Sequence, residues 1–407
     1  MGYSKQIIKG FSWGFVLNAT AMTMSLVKIV ILSHFVFGPA EFGVFGVGVL
    51  VLGILELLTE TGINIFLVQE TGTLDKYLDT AWVVSIVRGI IISVSVALLA
   101  YPISVFFKIT NNSSFILAFS LLPLIRGFIN PAIANLQKKL RFKQDALYRF
   151  TISATEDISI LILAILTHSI FSFVIGMFIG SILEVVLTYI LIKEKPRLKF
   201  SKIHFKSIID RGKWVTLAQV FEYLFEHTDD VIVGKILNVF SLGLYQTSYT
   251  LASLPENAIA QQLGKVTFPI FVNIQEDKER MKRAFWKTFW ITLTIIAPFG
   301  IGLFFFSETA VKIVLGTKWL PAVPVLRVLS LFSLVRAMTN LFYPIFLAFK
   351  KQNYVTITTL VCWFVLGISI FPLTNTFGIT GAAMSSLIGS LAGFPVALYL
   401  FSRISKE

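Results

Sequence analysis

The chain is poor in the residues that soluble chemistry uses. It has one cysteine, Cys362, and four histidines, His34, His168, His204 and His227, scattered without metal-ligand spacing. That excludes a disulfide framework and gives no reason to expect a metal site. Charged residues are only 14% of the 407, whereas the apolar set AVILMFWYC is 56%. There is no P-loop, HExxH or GxSxG, and GVFGVG (43–48) sits inside an apolar run, where no strand-to-helix turn can cradle a phosphate. No long polar loop carries paired carboxylates, which argues against an enzyme, and no cofactor is expected.

What is present is apolar length. The mean hydropathy is +0.80, more than a soluble globule of this size can hide. Stretches long enough to cross a bilayer recur from Phe11 to Phe401. They read as about twelve spans, near 11–36, 41–68, 80–107, 113–136, 150–170, 172–193, 213–236, 240–272, 284–307, 321–348, 354–374 and 377–402. The two flanking His168 are the hardest to separate. The run behind Lys5 and Lys9 is longer than a signal-peptide core and lacks a small-residue cleavage site, so it reads as a retained first helix. The class is an all-α polytopic membrane protein.

A net charge of +13 would suit nucleic acid, but its distribution does not. The basic stretches QKKLRFKQ (137–144), KEKPRLKFSKIHFK (193–206), DKERMKR (277–283) and FKK (349–351) fall on one side if helices alternate. Lys5, Lys9, Arg403 and Lys406 join them, and Lys108, Lys312 and Lys318 are the main exceptions. The positive-inside rule then places both termini and the 194–212 loop in the cytoplasm. Contact with anionic lipid is a secondary use of these segments. Nucleic acid is not an expected partner.

The chain also repeats itself. GPAEFGVF (38–45) and NVFSLGLY (238–245) match at an offset of 200, pairing Gly43 with Gly243 and Phe45 with Tyr245. FIGS (178–181) resembles LIGS (387–390), and LLPLIRGFIN (121–130) matches LFSLVRAMTN (331–340) at an offset of 210. The expected organisation is two pseudo-symmetric six-helix lobes, 1–193 and 213–407, joined by a cytoplasmic linker at 194–212. An even number of helices per lobe makes the repeats parallel, related by an axis along the membrane normal.

The last of those repeats carries Arg126 and Arg336 at mid-membrane depth, where an arginine costs about 2.5–3.5 kcal/mol on insertion scales. With Lys28 and Arg88 they are candidates to line a cavity that binds an anionic substrate. The alternative is pairing with Glu56, Glu60, Glu156, Asp157 and Glu184, and Arg88 lies close enough to a helix end, about 12 Å, to snorkel. The seventh span, FEYLFEHTDDVIVGK (221–235), puts Glu222, Glu226, Asp229 and Asp230 on one helical face. An acidic face in a membrane span is a candidate for proton or cation coupling, with His227 beside it; pairing is again the alternative.

Five phrases occur in family order: GPAEFGVFGVGVLVLGILELLTETGINIFLVQ (38–69), DDVIVGKILNVFSLGLYQTSYTLASLP (229–255), FPIFVNIQEDKERMKRAFWK (268–287), GTKWLPAVPVLRVLSLFSLVRA (316–337) and GITGAAMSSLIG (378–389). They resemble bacterial polysaccharide exporters of the multidrug/oligosaccharidyl-lipid/polysaccharide superfamily, with Asn238 where such proteins often have Gly. The resemblance implies a two-lobed, MATE-like bundle around a cationic central cavity. It implies a flippase of the bacterial inner membrane that moves undecaprenyl-diphosphate-linked oligosaccharide repeat units outward by alternating access, for O-antigen, capsule or exopolysaccharide assembly. The implied partners are that cargo, membrane lipids, and a polysaccharide polymerase and chain-length regulator; a monomer suffices. The competing reading is a cation-coupled multidrug or metabolite exporter of the multidrug-extrusion branch, working through the acidic face of the seventh span. A membrane scaffold without transport is the third.

Overall fold

The computed structural model describes residues 3–58, 75–139, 141–205, 223, 226–260, 267–268, 270–272, 274 and 277–406. Among them there is no strand. The first helices are α1 (Tyr3–Ile31), α2 (Pro39–Leu58), α3 (Asp75–Phe106), α4 (Ser113–Ala118), α5 (Leu121–Arg126), α6 (Ala134–Lys138), α7 (Phe142–Thr167) and α8 (Phe171–Leu191). A helical segment at 226–236 precedes α9 (Val239–Pro255). Then come α10 (Lys278–Phe305), α11 (Ser307–Val314), α12 (Val323–Asn340), α13 (Tyr343–Ala348), α14 (Gln352–Phe377) and α15 (Ile379–Lys406).

Nine stretches among the described residues are long and apolar enough to span a membrane, or up to ten if a bent pair counts as one. That pair, Thr110–Arg126 with Pro131–Lys138, bends by 69°. The bend falls at GFIN-Pro131, where Asn130 accepts from the Ala132 amide at 3.0 Å and donates to the Glu194 carbonyl at 2.7 Å. Side chains thus take over backbone partners that the broken helix gives up. Spans expected at 41–68, 213–236 and 240–272 lie partly outside the described residues.

The chain packs as two compact units, residues 1–37 with 44–227 and residues 38–43 with 228–407. The linker expected at 194–212 falls partly outside the described residues. Lipid tails are as apolar as leucine, so helix association rests on close packing, and small residues mark where it occurs. In the first unit α7 and α8 cross at Gly176 and Gly180. A Cβ at Gly176 would lie 2.9 Å from the Ile160 nitrogen, and one at Gly180 would lie 3.0 Å from the Glu156 Cβ. His168 closes α7 in the left-handed region, φ 50°, with its amide bonded to the Ala164 carbonyl at 2.9 Å. That turn separates the two spans that sequence separates least well. A second crossing, α3 on α5, runs through Gly89 and Gly127: a Cβ at Gly89 would lie 3.3 Å from the Gly127 Cα.

The second unit is held the same way. The first turn of α2 meets α9 through the repeated glycines. A Cβ at Gly43 would strike the Val239 carbonyl, 2.7 Å from its carbon, and one at Gly243 would strike the Pro39 carbonyl, 2.9 Å from its carbon. Positions 39 and 239 share the offset of 200, so the contact is reciprocal between repeats. Asn238 caps α9 in extended conformation, accepting from the Ser241 amide at 2.8 Å; the cap gives asparagine a role where glycine is common. Cys362 on α14 fits the notch between Gly389 and Gly393 on α15. The core of this unit is aromatic, with Phe285 packed at tilted angles among Phe289, Phe342 and Phe401, the last at 4.3 Å between centroids.

Candidate functional site

In the first unit the predicted cations meet carboxylates. Lys28 on α1 bonds Asp157 on α7 at 2.5 Å, with side chains 16% and 9% exposed. The second oxygen of Asp157 is buried and has no hydrogen-bond partner among the described residues. Arg126, at the end of α5, reaches Glu56 on α2 at 3.4 Å and donates to the Ser181 hydroxyl on α8 at 3.2 Å. Arg88 on α3 donates to the Glu56 backbone carbonyl at 2.6 Å. Helix α3 begins at Asp75 rather than 80, which puts Arg88 about 20 Å along it. Its guanidinium is engaged by the backbone of α2.

The local fold explains the convergence. Arg88 precedes Gly89 and Arg126 precedes Gly127, the two glycines through which α3 and α5 touch. Their close approach brings two guanidinium groups to one residue, Glu56. Glu156 and Glu184 also act electrostatically on Arg126, and Tyr148 donates to Glu184 at 3.3 Å.

A cavity of about 610 Å³ opens in the same unit, with Lys28, Arg149, Asp145, Glu156, Asp157 and Glu184 among its lining. Four carboxylates face two cations there, and Arg149 is itself bonded to Asp145 at 3.0 Å. This chamber suits hydrogen-bond donors better than anions. Lys28 pairs here with Asp157, one of the carboxylates offered as its alternative partner.

In the second unit Arg336 on α12 pairs with Glu256 at 3.3 Å and donates to the Tyr249 hydroxyl. Its guanidinium lies 6.0 Å from the Tyr249 ring centroid and 5.8 Å from that of Phe332. Glu256 also accepts from Asn340 at 2.9 Å and from Ser333 at 3.4 Å. Glu256 follows Glu56 by 200 positions, the spacing of Gly43 and Gly243. Each half therefore carries the same Arg–Glu pair. Sequence reading missed Glu256, Tyr249 and Ser181; extending the offset of 200 by thirteen positions beyond Gly243 reaches Glu256 directly.

Among the coupling candidates, Asp229 is buried and accepts from Tyr245 at 2.6 Å, from Ser386 at 3.2 Å and from the Asp230 amide at 3.0 Å. Three donors make it a cross-link of its unit. Asp230 is buried and Glu226 exposed. His227 lies against the Tyr223 ring at 4.1 Å. Glu222 and Glu60 lie outside the described residues.

Residues 31–324 match the family model described as polysaccharide biosynthesis protein. The chain belongs to the polysaccharide biosynthesis protein family. Within reach of this family it is 27% identical over 399 residues to an uncharacterized membrane protein in the cps region of Klebsiella pneumoniae, covering 95% of this chain and 80% of that one. It is 24% identical over 349 residues to the lipopolysaccharide biosynthesis protein WzxC of Escherichia coli K12, covering 84% and 69%. The fold is that of the lipid II flippase MurJ in its inward closed conformation: TM-score 0.78 at 19% identity, over 97% of this chain and 90% of that one. This polysaccharide biosynthesis protein is thus a multi-pass helical membrane protein.

Proposed function

We propose that this protein is a flippase that carries undecaprenyl-diphosphate-linked oligosaccharide repeat units from the cytoplasmic to the outer leaflet of the bacterial inner membrane. The observation that carries the reading is the arginine repeated in both halves, Arg126 and Arg336, each paired with a glutamate, Glu56 and Glu256, from the matching repeat position. A chain that keeps a costly charge twice in register has a use for it. In a polysaccharide biosynthesis family member, the matching use is a phosphorylated lipid headgroup. The sugars and diphosphate cannot cross hydrocarbon, and the polyprenyl tail need not leave it.

In this account Arg126 and Arg88 meet the diphosphate, and Lys28 and Arg336 are the further cations assigned to substrate binding. Glu222, Glu226, Asp229 and Asp230 stay the candidates for ion coupling. Rocking of the lobes alternates access, with both termini cytoplasmic, and a monomer is sufficient. The interior-negative potential favours outward movement of an anion by about 2.3 kcal/mol per charge per 100 mV, roughly 4–5 kcal/mol for two charges. No bond is made or broken, so the protein is not an enzyme.

The test is complementation in a bacterial strain lacking its own repeat-unit flippase. Wild-type chain restores surface glycan, while Arg126→Ala and Arg336→Ala leave lipid-linked intermediates accumulating inside. Normal surface glycan from both variants at wild-type membrane levels would overturn the proposal.

A further inference from the structure

The duplicated pairs are not equal. Arg336 and Glu256 sit in a closed setting: the Glu256 side chain is 3% exposed and that of Arg336 24%. Asn340, Ser333 and Tyr249 hold them from three directions, and two aromatic rings flank the guanidinium. Arg126 and Glu56 are 32% and 31% exposed at a longer 3.4 Å, and a second guanidinium, Arg88, stands beside them on the Glu56 backbone carbonyl. A buried pair with its remaining lone pairs satisfied is strongly disfavoured from parting. A pair one-third exposed gains little over hydration and is readily replaced by another anion.

We propose that Glu56 is a displaceable counter-ion. An incoming diphosphate takes its place on Arg126, with Arg88 as a second donor, and the returning carboxylate releases the cargo. Glu256 has no such part: it holds Arg336 permanently. Glu56 is thus a positioning residue that sets how tightly the headgroup is held, and the two halves divide exchange and support between them. This rests on the flippase reading above.

Purified full-length protein in nanodiscs, titrated with undecaprenyl diphosphate, tests it. Glu56→Gln removes the competing anion and binds the probe about fivefold more tightly. In cells the same variant exports less glycan, because release is slowed. Glu56→Asp, shorter by a methylene, shifts the affinity the same way by less, and serves if Glu56→Gln does not purify as a folded species. Glu256→Gln lowers the melting temperature without tightening the probe. Unchanged or weaker affinity in Glu56 variants that melt like wild type overturns the exchange, and equal tightening in Glu256→Gln overturns the division of roles. Arg126→Ala separates the two levels. If it keeps wild-type affinity, the flippase reading of this site fails. If it loses the probe while the Glu56 variants stay unchanged, only the exchange fails.

Discussion

Replacing Gly43 with alanine drives a methyl group into the backbone of a neighbouring helix. The new Cβ would strike the Val239 carbonyl, 2.7 Å from its carbon and 3.0 Å from the Gly243 nitrogen. Ordinary carbon contacts lie at about 3.5–4.0 Å, so α2 and α9 must part by roughly 1 Å. A backbone cannot swing aside as a side chain can, which puts the cost near the upper end of the about 1–3 kcal/mol typical of overpacking. Helix propensity returns about 1 kcal/mol, leaving a net loss of about 2 kcal/mol. Gly243→Ala meets the reciprocal obstacle at Pro39 and loses a similar amount. Because both open one crossing, the double variant loses clearly less than the sum. Gly302 and Gly367 have no heavy atom within 4 Å of a built Cβ and serve as controls that gain from alanine. Tryptophan-detected melting of purified protein in mild detergent ranks the five proteins. Gly43→Ala melting with Gly302→Ala, or strict additivity in the double variant, would refute the reciprocal contact.

Two other substitutions probe the charges. Lys28→Met strands the buried Asp157 carboxylate and costs about 3–5 kcal/mol, whereas Lys28→Met with Asp157→Leu recovers most of it; a double variant melting no higher than the single contradicts the pairing. Tyr245→Phe removes the shortest bond to Asp229 and costs about 1.5–3 kcal/mol in a melt while sparing glycan export. Lost export from a normally melting Tyr245→Phe would tie this bond to transport rather than to packing.

Hydropathy located the membrane helices well because each span is long and apolar in its own right. Hydropathy carries no sign of the break in the fourth span, since the bend at Asn130 depends on bonds to Glu194 and Thr188 more than fifty residues away. The repeated arginines were legible because their neighbours repeat too. Their glutamates were half legible. Glu56 and Glu256 keep an offset of 200 while the arginines keep 210, so no single shift aligns both members of the pair. Asn130 and Asn340 show where repetition stops: they align with each other, yet one caps a broken helix and the other holds Glu256. The sign of the first-unit cavity was not legible at all. Asp145, Glu156, Asp157 and Glu184 gather around Lys28 only once α1, α7 and α8 pack.

The most direct measurement is transport by the purified chain in liposomes carrying fluorescent undecaprenyl-diphosphate-linked oligosaccharide, read as the fraction reached by a quencher outside. Wild-type protein should move the label between leaflets, Arg126→Lys should retain part of that rate, and Arg126→Ala with Arg336→Ala should leave it at the protein-free level. Movement at the wild-type rate by the doubly substituted, correctly folded protein would contradict the claim that these charges carry the headgroup.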